Sequence, residues 1–592
     1  MAWLFEPTRR TDVDIEITQR NQFDNDDVNL ADSLVRESIQ NCLDASLYDH
    51  ISNEESDTQI DRKVVVSFRW VKPSDHHKFK DLFLDQIPHA RSSGLNLTKV
   101  DFDEPSALII EDFGTTGLLG ATDEKKKDED FTNFLRAYGK SGKSGSKKGR
   151  HGLGKLVLPL TSSIGVFFAL TKRYNDEKQY LMGQSVLNIR KVDGKEYPPH
   201  GFFCQPINKD DEDPIQMPFS DEKIISEFSS LFSINRKSES GLSVVIPFPD
   251  LEFNEEELIS KAIENYFYAI FSKKLTLKFN DITIDDSNIR DLAQQYSKKM
   301  KDSDHIFNFL DEVFEQKDER CFWLKDSLKD GRINASHFSG DELTKAREEF
   351  SDYKLVHIKV PISIGYRKSS IKTTEFDVYL KKNSDLTRGH ALYFRGGLQL
   401  TGETKFSTEK AIGAVIADEK YISELIGDAE NEAHTKMVTQ RKKLSDKYTN
   451  SNKTIPIIKN SIINLYQLIA GLDQSQDEKA LINFFRFKKP KNEKNREKKE
   501  KSTKEEIEIQ DNLKNYSIST IRGGFTLSQS NTSASTTQPI TITIEVAYNR
   551  KSHNPFKKYK IHDFDLRSDT FKIDKEGIDQ FEAANNRIIL SP

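Results

Sequence analysis

Residues 137 to 155, AYGKSGKSGSKKGRHGLGK, carry two phosphate-loop patterns back to back, and each demands a different fold around it. The first, Ala137 to Ser144 with Gly142, Lys143 and Ser144, fits a permissive P-loop. A P-loop needs a buried strand that delivers the chain to the turn and a helix that starts at once after it. Here the preceding segment, DEKKKDEDFTNFLR, is charged, and the following GSKKG has two glycines and no apolar periodicity. The apolar strand ending in an acid, SALIIED, lies upstream instead of downstream. The first pattern is therefore read as a coincidence of composition. The second, Gly149-Arg-His-Gly152-Leu-Gly154, leads into LGKLVLPLTSS, which can start a helix at the loop, and then into IGVFFALTK, a buried strand. That order sets backbone amides and the positive end of a helix where a polyphosphate would sit.

Residues 28 to 49, VNLADSLVRESIQNCLDASLYD, space Leu30, Leu34, Ile39, Leu43 and Leu47 as one face of a helix. Glu37, Asn41 and Asp44 fall at i, i+4 and i+7, so they share another face. A solvated stripe would favour Lys and Glu pairs, whereas an Asn in mid-helix is a poor helix former and needs a reason. Further on, SALIIEDFGTTGLLG carries a buried strand into Asp112, with Gly114 and Gly117 after it to let the backbone come close to a ligand.

The set Glu37, Asn41, Asp44, Ala45, then Asp112, Gly114, Gly117, then Gly149, Gly152, Gly154 resembles, in that order, the N, G1 and G2 boxes of the GHKL ATPases. That superfamily includes the gyrase B subunit, MutL, heat-shock chaperones, sensor histidine kinases and MORC proteins. SGLSVVIPFP at 240–249 looks like the strand that closes the same fold, with Ser243 where Thr is usual. The resemblance implies ATP and Mg²⁺ as cofactors. Glu37 would orient the attacking water, Asn41 would ligate Mg²⁺, and Asp112 would accept a hydrogen bond from the adenine amino group. Gly149, Gly152 and Gly154 would give phosphate-binding amides, with Lys155 as a charge partner. The G1 box holds one extra residue at Thr115-Thr116, which puts the usual roles of Gly114 and Gly117 in question. Residues 118–148 would form the lid over the nucleotide, with Lys140, Lys143, Lys147 and Lys148 either touching phosphate or simply solvated.

A chain of 592 residues exceeds what one core usually organises. The expected class is α+β: a Bergerat-type α/β sandwich ATPase over 1–250 and a mixed transducer-like α/β domain over 251–409. A helical region over 410–485, a charged linker over 486–510 and a small C-terminal β-sandwich over 511–592 follow. Such transducers carry a basic residue to the terminal phosphate, and Lys381, Lys382 and Arg395 are the candidates, Arg395 being equally readable as an ordinary strand-turn arginine. His434 reads as a capping or packing residue.

A net charge of −6 argues against a globally basic nucleic-acid binder, though not against a local patch. No apolar run reaches the length of a membrane span, the first ten residues lack the apolar core of a signal peptide, and Cys42, Cys204 and Cys321 lack metal-ligand spacing. These traits predict a cytoplasmic protein with free thiols and no membrane partner. The expected function is an ATP-gated conformational switch that forms an ATP-dependent homodimer, with DNA or an effector protein as further partners. The domain order looks closest to bacterial MORC-like or stand-alone members, several of which serve anti-phage defence. The alternative is a nucleotide-binding scaffold or chaperone-like protein with little turnover.

Overall fold

The computed structural model describes residues 2–9, 30–52, 63–98, 100–126, 129–136, 156–207, 215–236, 238–249, 254–297, 300, 302–316, 320–329, 331–400, 406, 409–431, 436–471, 516–521, 524–529, 542–545, 566–567, 578 and 580–591. The G2 glycines Gly149, Gly152 and Gly154, the lysines from Lys140 to Lys155, His434 and the charged linker lie outside these residues. The chain divides into two compact units that part at residues 486 and 487.

The first unit opens with β1 (Ala2–Leu4), α1 (Leu30–Asp44), α2 (Leu47–Ser52), β2 (Val64–Val71), α3 (His76–Asp81), α4 (Ile87–Ser92), β3 (Ala107–Phe113), α5 (Asp130–Leu135), α6 (Val157–Thr161) and β4 (Val166–Lys172). It continues with β5 (Gln179–Val186), the hairpin β6 (Arg190–Val192) and β7 (Lys195–Tyr197), β8 (His200–Cys204), α7 (Glu222–Leu231), β9 (Gly241–Pro247), α8 (Glu255–Phe271), β10 (Leu275–Phe279) and β11 (Ile282–Ile284). Nine of these strands make one mixed sheet in the order β1-β8-β5-β4-β9-β3-β2-β10-β11, antiparallel except where β10 runs parallel to β2. Because side chains alternate across a strand, β3 sends Leu108 and Ile110 to one core and Ala107 and Ile109 to another. The first core is covered by α1 and α8, the second by Phe79 of α3, Phe228 of α7, and Phe83 and Phe232 just after those helices.

Two sequence expectations change here. α1 stops at Asp44, so Leu47 starts a new helix instead of extending the old one. The cause is tertiary: Thr116 N donates to Ala45 O at 2.9 Å and Leu47 N donates to Gly114 O at 2.9 Å, pulling the chain off its helical path. The boundary expected at 250 is also passed. α8, β10 and β11 complete the first sheet, since Leu275 to Phe279 pair with Val64 to Phe68.

The front of the expected lid is core. Phe131 and Leu135 on α5 are fully buried, and Arg136 Nη2 donates to the carbonyl of Gln216 at 2.6 Å. Leu118, Phe131, Thr132 and Leu135 are therefore packed in the core, while Asp123, Glu124, Lys125 and Lys126 are exposed.

The N-terminal strand is anchored by Trp3, whose Nε1 donates to Leu82 O at 2.7 Å, and by Phe5, whose ring stacks on His89 at 3.8 Å. Arg190 Nε donates to His89 Nδ1 at 3.1 Å. Burial, and then the Arg190 charge, depress His89 to about 4, against opposing pulls from Asp193 and Asp85. The folded form thus refuses a proton that the unfolded chain accepts at its ordinary value near 6.5. Stability is level above that value and falls as the pH drops from 6.5 towards 4, by on the order of 1–3 kcal/mol. His89→Phe is expected to flatten this slope in urea titrations at stepped pH; an unchanged slope would show that another group carries it.

The rest of the unit holds α9 (Ile289–Tyr296), α10 (Ser303–Glu315), β12 (Cys321–Trp323), α11 (Glu342–Ser351), β13 (Val356–Ile364), β14 (Lys372–Lys382), β15 (His390–Arg395), β16 (Leu398–Gln399), β17 (Ala411–Ile416), α12 (Lys420–Ala429), α13 (Lys442–Lys447) and α14 (Ser451–Ile469). Its sheet runs β12-β13-β14-β17-β15-β16. β17 falls inside 410–485, so that region is not wholly helical. Its AIGAVI run is inserted between β14 and β15, where it is buried on both faces. α14 packs on β13, β14 and β17. One continuous apolar core joins this sheet to α1 and the first sheet through α8.

In the second unit, β18 (Tyr516–Ile521) and β19 (Gly524–Gln529) form an antiparallel hairpin, and β20 (Ile542–Glu545), β21 (Gln580–Ala584) and β22 (Arg587–Ser591) form a three-stranded sheet. Leu527 of the hairpin packs on a small cluster of Leu566, Ile588 and Leu590. Among the described residues, no helix is long and apolar enough to cross a membrane.

Candidate functional site

α1 is fixed against α8 by polar contacts that set its rotation. Arg36 Nε donates to Asp32 Oδ2 at 3.2 Å, Asn265 Nδ2 donates to Asp32 Oδ1 at 2.8 Å, and Tyr266 Oη donates to Arg36 O at 2.7 Å. With Leu34, Val35 and Ile39 buried, the half-buried Glu37, Asn41 and Asp44 share the remaining face. Asn41 Nδ2 donates to Glu37 Oε1 at 2.8 Å, so the amide oxygen points away from that carboxylate. Oxygen donors of this kind on one helix face suit a hard cation such as Mg²⁺, which takes few protein ligands. Among the described residues there is no group of three or more His, Cys, Asp or Glu placed to hold a metal ion.

Asp112 is brought to α1 by β3. Leu242 N donates to its Oδ1 at 2.9 Å, Thr115 Oγ1 donates to the same oxygen, and Cys42 Sγ donates to Oδ2 at 3.4 Å. Behind it, Arg236 Nη2 donates to the Asp112 carbonyl at 2.6 Å. Burial pushes Asp112 above the usual carboxylate range, opposed by Arg236 and by donors from Thr115, Leu242 and Cys42. Burial likewise lowers Arg236, which Asp112 and Glu111 partly offset. Thr115, the extra residue of the turn, is therefore a donor to Asp112, and its backbone pairs with Ser46 at the end of α1.

Gly114 and Gly117 both adopt left-handed φ, +74° and +70°. A Cβ on Gly114 would lie 2.8 Å from Lys63 O, and one on Gly117 would strike the carbonyl of Lys172. Both glycines thus admit neighbouring backbone, from the start of β2 and the end of β4, where the sequence suggested a ligand. Gly241, at φ +141°, faces the carboxylate itself: a Cβ there would collide with Asp112 Oδ1 and lie 2.5 Å from the Asp112 backbone carbonyl oxygen. Gly241→Ala is expected to displace Asp112 and to cost about 1–3 kcal/mol in chemical denaturation; a variant as stable as the parent would show that the strand relaxes freely.

Ser243 turns away from Asp112. It lies opposite Glu111 in the register of β3 and β9; its hydroxyl donates to Glu111 Oε1 at 3.0 Å and accepts from Arg236 Nε at 3.1 Å. Thr171 of β4, fully buried, accepts from Leu118 N at 2.8 Å and closes the turn after Gly117. The sequence reading gave no site role to Cys42, Thr115, Thr171, Arg236 or Gly241. For three of them a signal existed: Cys42 follows Asn41, Thr115 is the additional residue of the turn, and Gly241 stands two before Ser243.

The three expected transducer cations are engaged within their own half of the unit. Lys381 pairs with Glu312, Lys382 Nζ lies 4.8 Å over the ring of Tyr353, and Arg395 is fully buried with its Nε–Nη2 edge bidentate on Glu430. The glycines of Arg395-Gly-Gly make a turn, in which Gly396 N donates to Asp418 Oδ1 at 2.7 Å.

No family model matches the sequence, and no curated protein matches it. Among solved structures, the ATPase region of Saccharomyces cerevisiae topoisomerase II bound to ICRF-187 (dexrazoxane) aligns at 9% identity and TM-score 0.29, over 76% of this chain and 85% of that one. A second structure of that region aligns at 9% identity and TM-score 0.30, over 74% and 86%. In the site itself, a Glu–Asn pair on α1 and a buried Asp on β3 are joined by the backbone bonds of residues 45–47 with 114–116.

Proposed function

We propose that the chain is a Mg²⁺-dependent ATP-binding and ATP-hydrolysing protein of the GHKL type. The observation that carries this reading is the direct contact between α1 and Asp112 through Cys42, one residue from the Asn41 amide that holds Glu37. That contact supports reading the two ordered sequence boxes as parts of one nucleotide site. In this reading Asp112 accepts the base's amino group, Asn41 gives its amide oxygen to the cation, and Glu37 orients water for in-line attack. Mg²⁺, when bound, would gather the charge of the phosphates. Gly149, Gly152, Gly154 and Lys155 take the phosphate role by motif alone.

The test is calorimetric titration of the purified protein with ATP in Mg²⁺, beside steady-state phosphate release. Asp112→Asn is expected to weaken ATP roughly 10- to 100-fold, the worth of a hydrogen bond to a charged group; Asn41→Ala is expected to abolish the Mg²⁺-dependent part of the affinity. ATP heat that is absent from the parent protein would sink the proposal. We further propose that nucleotide drives homodimerisation, which size-exclusion with a non-hydrolysable analogue tests. A MORC-like role in DNA transactions or anti-phage defence predicts turnover stimulated by DNA.

One observation favours a second reading, a nucleotide-binding scaffold with little turnover. Lys381, Lys382 and Arg395 are all held by partners within the six-stranded half. Analogue-induced dimers without phosphate release would support it.

A further inference from the structure

The Asp112 carboxylate is nearly full. Two oxygens offer about four acceptor positions between them. Oδ1 takes Thr115 Oγ1 and Leu242 N, and Oδ2 takes Cys42 Sγ, which leaves one position, on Oδ2 beside the sulfur. Gly241 closes the Oδ1 side, where even a Cβ would collide with that oxygen. An incoming N–H must therefore reach Oδ2 past the thiol of Cys42, which is 6% exposed, as is Asp112.

We infer that Cys42 is a specificity-determining residue of the nucleotide site: its S–H holds Oδ2 as an acceptor for one amino group, so that an amino-bearing base is taken over a carbonyl-bearing one. The inference rests on the nucleotide-binding reading above. A donor to the ionised carboxylate keeps it ionised. Without that donor a buried carboxyl gains a proton more readily, becomes a donor itself, and can meet a carbonyl edge. The thiol is also a weak donor, so the ligand's amino group can crowd it at little cost, whereas a hydroxyl would hold its place more firmly. Cys42→Ser keeps the donor and Cys42→Ala removes it, which separates donation from packing.

The experiment measures ATP and GTP affinity by calorimetry in the parent, C42S and C42A, with circular dichroism as a check on folding. The expected result is an ATP-to-GTP preference that falls on the order of fivefold or more in C42A, as loss of one modest hydrogen bond implies, and that C42S keeps. A second arm follows alkylation of Cys42 by N-ethylmaleimide in a Cys321→Ser background, read by mass spectrometry. Peptide mapping separates Cys42 from Cys204, whose thiol burial pushes up to about 12, and saturating ATP with Mg²⁺ is expected to slow Cys42 labelling about tenfold or more. If the parent binds ATP but C42A keeps the same preference, the inference fails while the nucleotide reading stands. If the parent binds no ATP, both fail. Should C42A not fold, labelling decides: protection by ATP supports the inference, and unprotected labelling overturns it.

Discussion

Glu37→Gln is expected to leave ATP affinity unchanged and to slow hydrolysis on the order of 10²- to 10⁴-fold, the usual contribution of a positioned base. The glutamine keeps the size of the side chain and an oxygen for the Asn41 amide, which lies 2.8 Å from Glu37 Oε1. It removes only the charge that polarises water. Glu37→Ala removes that charge as well, and it releases Asn41, so some loss of affinity accompanies its loss of turnover. Single-turnover phosphate release with calorimetry in parallel separates the two effects. Turnover in Glu37→Gln equal to that of the parent would remove Glu37 from the chemistry and leave it as a holder of Asn41.

The second large effect is on stability. Arg395→Ala strands the Glu430 carboxylate, which has no exposure to water, without its bidentate partner. Breaking a buried pair from one side costs about 3–5 kcal/mol, because the remaining carboxylate loses its bidentate guanidinium while still shut off from water. Arg395→Lys is expected to recover only part of this, since an ammonium cannot match both carboxylate oxygens. The denaturation midpoint in urea reads the result. A phosphate-contacting arginine would behave in the opposite way, with the midpoint unmoved and phosphate release lost. That outcome would restore Arg395 as the transducer residue and imply that the pair with Glu430 opens when nucleotide binds.

What the sequence made legible follows from how local each signal is. The helix over Leu30–Asp44 and the strand over Ala107–Phe113 are written in periodicity and in a continuous apolar run, and both stand where they were expected. Asp112 is marked by the glycines after it. The end of α1 is not so marked, because the carbonyls and amides that break it belong to a turn about seventy residues later. The face that Ser243 presents depends on register, and a one-residue step decides whether a side chain meets Asp112 or Glu111. Arg395 reads equally as a phosphate contact or an ordinary strand-turn arginine, because its partner Glu430 lies 35 residues away, past two further strands and a helix. Likewise, DEKKKDEDFTNFLR reads as a charged turn followed by a short helix; α5 is that helix, and only the fold shows its Phe131 and Leu135 turned into the core.

α8 gives one side to α1, through Asn265 and Tyr266, and the other to the second sheet, where Tyr268 stacks on Phe394 at 4.1 Å and Phe267 meets the same ring at 5.8 Å. A helix with both flanks buried has no solvated face to fall back on: stripping away either sheet would leave a row of aromatic rings in water. The two halves are therefore bound to melt together, as a single cooperative block whose weakest point is not the joint between them.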